Sequence, residues 1–388
     1  MARYVSNYMG IISGDNWLGH STLRMTKTPV FLTYSFPKTM TKDDRTSWPE
    51  DASTWRPFSD QDKAAAKAAL AQWGKACGIT FLETKGDHGD IQFSWIPSGQ
   101  TAFAYRPSNY YPYGPEEFTY FYESAGNVYL NPTYEEYFSQ NPTQKNLALL
   151  HEIGHAIGLK HPFSTTDLNP RLLSKTYDSL KYTVMAYSDP EEPIPATLRP
   201  FDIQAARKLY GPPSADGKQV SKWHWSRSKE VLTQIGKSKA DVMLGTSVTD
   251  IMKGQDGDDR LHGLKGNDEL YGGLGNDVLI GGPGKDSFVF DTQPQKDANV
   301  DKIVDFAPEE DRIVLSSAIF SEAGPVGRLS ESAFAIGSSA KDAASRLIFD
   351  YSYSFALYYD PDGTGARPQI KIATVNDVSM NASHFLIV

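Results

Sequence analysis

The residues of this chain best spaced for chemistry are His151, Glu152, His155 and His161, within His-Glu-Ile-Gly-His-Ala-Ile-Gly-Leu-Lys-His-Pro at 151–162. At 3.6 residues per turn, residues four apart share a helix face, so the imidazoles of His151 and His155 can reach one metal ion. Glu152 leaves that helix about 100° further round, beside the metal rather than on it, where a carboxylate can serve as general base toward an attacking water. Gly158 falls where the helix must end, because glycine enters the left-handed conformation of a C-cap without steric cost. The returning chain brings in His161 as a third ligand, and Pro162 keeps the helix from resuming. Three protein ligands leave a fourth position open, the mark of catalytic rather than structural zinc. The competing reading is a buried helix that merely carries histidines. Only eight histidines occur in 388 residues, and three of them stand here at ligand spacing.

The elements that must position these side chains are legible around them. Asn141 reads as an N-cap, Pro142 as the first helical residue and Gln144 as the residue that closes a capping box. Leu147, Leu150, Ile153 and Ile157 then recur at three- and four-residue spacing, so the pattern predicts a helix over about 142–157 with a buried stripe. A second helix starts at Ser59, with Asp62 three residues on, and ends at Gly78. Cys77, the only cysteine, sits at the end of this helix and reads as a small buried hydrophobe. No intrachain disulfide is possible, so the fold must rest on its core and on metals.

A second signature lies between residues 245 and 289, where glycine and aspartate recur with a period of nine. Four units place Gly254, Gly257 and Asp259; Gly263, Gly266 and Asp268; Gly272, Gly275 and Asp277; and Gly281, Gly284 and Asp286 at matching positions, with Leu261, Leu270, Leu279 and Phe288 in phase. An earlier, degenerate unit carries Gly245 and Asp250. Such nonapeptides wind into a parallel β-roll whose turns bind calcium through carboxylate and carbonyl oxygens. Two units complete one coil, so aspartates eighteen apart share an ion: Asp250 with Asp268, Asp259 with Asp277, Asp268 with Asp286. A flexible acidic linker would not keep its apolar residues in phase.

The pattern HExxHxxGxxH resembles that of the metzincin metalloproteases. Thr183-Val184-Met185-Ala186-Tyr187, with Met185 24 residues past His161, is similar to their Met-turn. The resemblance implies that Met185 packs beneath the three histidines, and that Tyr187 reaches the zinc at rest and assists catalysis. Joined to the nonapeptides, the chain resembles the serralysins, secreted bacterial zinc endopeptidases. The expected architecture is an α+β metzincin catalytic domain (twisted, mostly parallel sheet plus helices) over 1–215, followed by an all-β parallel β-roll/β-sandwich domain over 216–388. Residues 79–83, 102–107, 202–211, 301–306 and 311–316 look like further family segments in the right order. The resemblance also implies one catalytic zinc and several structural calcium ions. It points to a peptide substrate bound as an added antiparallel strand against residues 101–105. The tyrosine-rich stretch 105–122 either lines the cleft rim or packs as an aromatic loop.

A net charge of −9 with no basic face argues against nucleic acid. No stretch is long and apolar enough to span a membrane, and Met-Ala-Arg-Tyr-Val-Ser-Asn lacks the apolar core of a signal peptide. The family's uncleaved C-terminal export signal, used by a type I secretion apparatus, has a counterpart in Phe385-Leu-Ile-Val388, although His384 stands where the family carries an acidic residue. A terminal edge strand packed in the sandwich is a second reading of this segment, compatible with the first. The expectation is therefore a secreted, extracellular monomer acting on protein or peptide substrates, with a small periplasmic protein inhibitor as a family partner. Two other classes compete. A catalytically inert calcium-dependent secreted adhesin need keep none of the histidines, Glu152, Met185 or Tyr187. A lipase with the same repeats needs a GxSxG nucleophile elbow, which the chain lacks.

Overall fold

Ser59 accepts a hydrogen bond from the backbone of Asp62, and the Asp62 carboxylate accepts one in return from the backbone of Ser59. From this box runs helix α1, Asp60–Ala76. A computed structural model describes residues 3–14, 30–42, 44, 53–106, 109–110, 120–121, 126–187, 193–213, 220–352, 355–376 and 379–388. The chain divides into two compact units, Met1–Asp216 and Gly217–Val388.

In the first unit, α1 turns Ala66, Ala69, Leu70 and Trp73 inward, and Cys77 ends it in extended backbone, fully buried. Three further α-helices follow among the described residues: α2, Glu135–Gln140; α3, Pro142–Ala156; and α4, Pro200–Tyr210. Helix α3 buries Leu147, Leu150 and Ile153, the stripe expected from the sequence. The expected Asn141 cap is corrected. Its side chain makes no capping bond to α3 but donates to the Tyr137 carbonyl at 2.9 Å, because α2 ends at the same residue and its last carbonyls need donors. Trp73 Nε1 donates to the Leu150 carbonyl at 3.2 Å, and Lys145 pairs with Asp62, so α1 and α3 are fastened at two levels.

The main sheet runs in the order Ile79–Glu83, Val30–Ser35, Ile91–Trp95, Val128–Leu130, Ala102–Ala104. All of these neighbours pair in parallel except the last, where Ala102–Ala104 runs antiparallel to Val128–Leu130. Among the described residues no strand pairs with the outer side of Ala102–Ala104, which leaves its outer main chain as an open edge of the described sheet. Of the tyrosine-rich stretch, Tyr111, Tyr113, Phe118 and Tyr122 lie outside the described residues.

In the second unit the nonapeptide period becomes geometry. Strands Val242–Thr246, Arg260–Leu264 and Val278–Ile280 stack in one sheet, and Thr249–Asp256, Glu269–Leu274 and Ser287–Phe290 in the other. Each pairs in parallel with the strand eighteen residues on: Met243 with Leu261 and Leu261 with Leu279 in one sheet, Met252 with Leu270 and Leu270 with Phe288 in the other. These side chains form a closed core, with Leu261, Leu270, Leu279 and Phe288 all at 0% exposure. The coil does not stop with the repeats. Leu279 pairs on to Ile303 and Phe288 to Ile313, so one further coil is wound from segments that carry inserted loops. Phe385–Ile387 lies between Arg312–Leu315 and Gly327–Arg328 in the second sheet. The segment is a packed strand as expected, but its place at an edge is corrected, since it has a neighbour on both sides.

Candidate metal centre

Helix α3 ends in a way that builds half of the site. Gly158 adopts φ +96°, and its N–H bonds the His155 carbonyl at 2.9 Å while the Leu159 N–H reaches the Gly154 carbonyl at 2.9 Å. This is a Schellman turn, and it needs the left-handed residue that glycine supplies. The turn presents the Leu159 carbonyl to His155, whose Nδ1 donates to it at 2.9 Å. His151 Nδ1 donates likewise to the Val184 carbonyl at 2.7 Å. A carbonyl can only accept, so both rings carry their proton on Nδ1 and turn a bare Nε2 inward.

His161 completes the set, its Nε2 lying 3.1 Å from Nε2 of both His151 and His155. Three nitrogens with at least two lone pairs facing one another is an arrangement that suits a cation. Nitrogens bound tetrahedrally at zinc distances stand roughly 3.3 Å apart, so the donor set fits that ion. Burial first, and for His161 also the charges of Arg106 and Lys160, lower the basicity of all three rings, which keeps them neutral and ready to ligate. His151 is lowered to about 4.

Glu152 lies beside the triad, 6% exposed. Burial pushes its carboxyl up to about 8 against a hydrogen bond from the Ala104 backbone, and Oε2 has no hydrogen-bond partner among the described residues. Met185 is fully buried under α3; a Cβ on Gly154 would lie 2.5 Å from its Sδ, so this helix position must be glycine for the sulfur to approach. Tyr187 is 62% exposed, its ring 5.0 Å from that of His161 and 6.3 Å from that of His151. The site opens on a cleft of about 840 Å³ walled by α3, the edge strand and Tyr187.

The repeat turns hold a second set of donors. Asp241, Asp250, Asp259 and Asp268 each donate a backbone N–H to the carboxylate eighteen residues on, at 2.7–2.8 Å, which brings together the expected pairs. The other oxygen of Asp259, Asp268, Asp277 and Asp286 is buried without a hydrogen-bond partner among the described residues. A Cβ on Gly254, Gly263, Gly272 or Gly281 would strike that carboxylate, and Gly266 and Gly275 take φ of +146° and +135° in the turns. Burial first, and then like-charged neighbours at each of the four, push these carboxyls upward. Hard, unpartnered oxygens in a small-residue cradle suit calcium.

Comparison with known families agrees with both sets. The Matrixin profile matches residues 45–211, the RTX calcium-binding nonapeptide repeat matches 241–288 in four copies, and the serralysin C-terminal profile of peptidase M10 matches 266–349. The chain is similar to the serralysins over both segments. It is 29% identical over 46% of its length to Serralysin G of Dickeya chrysanthemi, and 32% identical over 41% to Metalloprotease AprA of Pseudomonas entomophila strain L48. A serralysin of Photorhabdus laumondii is 32% identical over 46% of the chain. The matches span 39%, 32% and 36% of those relatives' lengths.

Several residues that support these two donor sets could not be read from the sequence. Asp202 is fully buried and accepts from Thr183 Oγ1 at 2.6 Å and from the Val184 backbone at 2.9 Å, so it holds the turn whose carbonyl orients His151. Its position at the start of a helix gave no sign of that partner. Phe163 stacks on His161 with ring centroids 5.0 Å apart and planes at 7°. Asp301 and Asp311 extend the aspartate ladder, accepting from the backbones of Asp277 and Asp286 at 3.1 and 2.8 Å; spacings of 24 and 25 hid them from a period-nine search.

Lys160 is the least expected of these. It is 1% exposed with no carboxylate partner among the described residues, and its Nζ donates to the carbonyls of Gly10 and Ser164 at 2.6 Å and of Arg171 at 2.8 Å. It thus staples the N-terminal strap 3–14 and the loop 161–171 to the residue before His161. Lys160→Met should leave one buried and two part-buried carbonyls without their donor, at a cost on the order of 3 kcal/mol. Displaced support for His161 should weaken zinc binding by about 10–100-fold. Thermal unfolding and chelator competition on purified protein measure both.

Proposed function

We propose that this chain is a secreted zinc endopeptidase of broad specificity, with His151, His155 and His161 as zinc ligands, Glu152 as general base and Tyr187 as an auxiliary ligand and hydrogen-bond donor. The observation that carries the reading is the convergence of three Nε2 atoms, two with their tautomers fixed by carbonyls, beside a buried carboxylate at the open edge of a sheet. Zinc bound there would act as a Lewis acid on water and on the scissile carbonyl. The outer main chain of Ala102–Ala104 binds the peptide as an added strand and fixes the bond to be cut. Glu152 takes a proton from the attacking water and passes it to the leaving amine. Tyr187, exposed at the mouth of the site, donates its phenol hydrogen to the oxyanion that develops.

Loss of such a donor costs about 10²–10³ in rate, so Tyr187→Phe should lower kcat far more than it raises KM. Steady-state kinetics on a quenched peptide measure this, and an unchanged kcat would make Tyr187 a wall residue only. Calcium in the repeat turns holds the second unit folded, and export follows the type I route used with such repeats. Incubation with denatured casein and mass spectrometry of the products tests the activity. Internal cleavage at many sites supports an endopeptidase; intact casein would favour the inert calcium-dependent adhesin.

A further inference from the structure

Three described residues lining the cleft carry formal charge: Arg106, Glu152 and Lys160. Lys160 spends its donors on three carbonyls, and Glu152 is buried beside the histidines. Arg106 is exposed and makes no hydrogen bond or ion pair with another described residue. It is therefore the one fixed charge that the described wall offers to an incoming chain.

Its place relative to the bond to be cut follows from the pleat. The Thr101 carbonyl accepts from Asn131 at 3.0 Å and the Tyr105 N–H donates to Asn127 at 3.3 Å, so residues 101, 103 and 105 face the sheet. Ala102 and Ala104 then face the open edge, which agrees with the Ala104 N–H reaching Glu152. Arg106 is next in phase, two residues or about 6.6 Å beyond Glu152's partner. At the other end of the edge, Tyr134, Tyr137, Phe138 and Leu147 give the cleft an apolar wall. A peptide lying antiparallel to the edge strand runs from the Arg106 end toward that wall, so residues before the scissile bond meet the guanidinium and residues after it meet the aromatics. The charge of Arg106 is also felt at His155 and His161, the ligands at its end of the site.

We infer that Arg106 is a specificity-determining residue that selects an aspartate or glutamate two or three residues on the amino-terminal side of the bond cut. The inference rests on the peptidase reading above. A carboxylate there accepts two parallel N–H bonds from the guanidinium, which a carboxamide cannot match.

The test uses the full chain and a peptide series carrying Glu or its isostere Gln at each position around one cleavable bond. For each protein, the ratio of kcat/KM for the Glu peptide over the Gln peptide is measured. The wild type should favour Glu by about tenfold at the stated positions only. Arg106→Gln should bring the ratio to about one, and Arg106→Glu should invert it. Arg106→Lys should restore only part, because a point charge cannot chelate a carboxylate. Ratios that do not change with residue 106, or an Arg106-dependent preference on the carboxyl-terminal side, would overturn the inference. Calorimetric binding of the same peptides keeps it separate from the peptidase reading. If nothing is cleaved but Glu peptides bind in an Arg106-dependent way, the subsite stands and the activity falls.

Discussion

Glu152→Ala should lower kcat by about 10³-fold or more, at the upper end of general acid–base effects, while the protein keeps its zinc. The two halves of this expectation come from different atoms. The three Nε2 donors belong to His151, His155 and His161, and the carboxylate is not among them. Glu152 instead sits with one oxygen near the Ala104 N–H and the other unpartnered among the described residues, at the sheet edge where a peptide carbonyl would lie. Removing it leaves the ligand set intact and the proton without an acceptor. Zinc content by atomic absorption and turnover on one peptide, measured on the same preparation, separate the roles. A variant that cleaves at a near-normal rate would remove Glu152 from the chemistry, and one that loses its zinc would make it part of the metal shell.

Withdrawal of calcium should melt the repeat region and spare the catalytic helix. Asp259, Asp268, Asp277 and Asp286 are buried, each with one carboxylate oxygen unpartnered among the described residues, and they stand in a ladder of like charges. Those ligands are gathered only in the folded coil, so calcium binding contributes directly to folding, about 4 kcal/mol per site when free calcium exceeds Kd a thousandfold. The first unit has its own core, with Leu149, Leu150 and Ile153 at 0% exposure. Hydrogen exchange on the full chain in calcium-free buffer should therefore show loss of amide protection across 245–289 with protection retained in 142–156. Equal protection of both segments with and without calcium would contradict the assignment of these turns to calcium.

How much of this was legible in the sequence depended on whether the constraint was local. The zinc motif and the Gly158 turn are set by spacing along one helix, and the nonapeptides by a fixed period, so both could be read directly. Asn141 misled because one residue serves two helices, and the C-cap demand of α2 took its side chain. Asp202, Lys160 and Arg106 could not be read, because what defines each is a partner or a surface brought up by the fold. Lys160 reaches Gly10 across 150 residues of chain, and Asp202 meets Thr183 across a loop. Asp301 and Asp311 kept their register in space while insertions erased it in sequence.

Stoichiometric zinc return to metal-stripped protein tests the central claim most directly. With calcium present throughout, so that the second unit stays folded, peptidase activity should rise linearly with added zinc and break sharply at one equivalent per chain. His161→Ala should abolish the break. Activity that persists in protein shown by elemental analysis to be free of zinc would contradict the account.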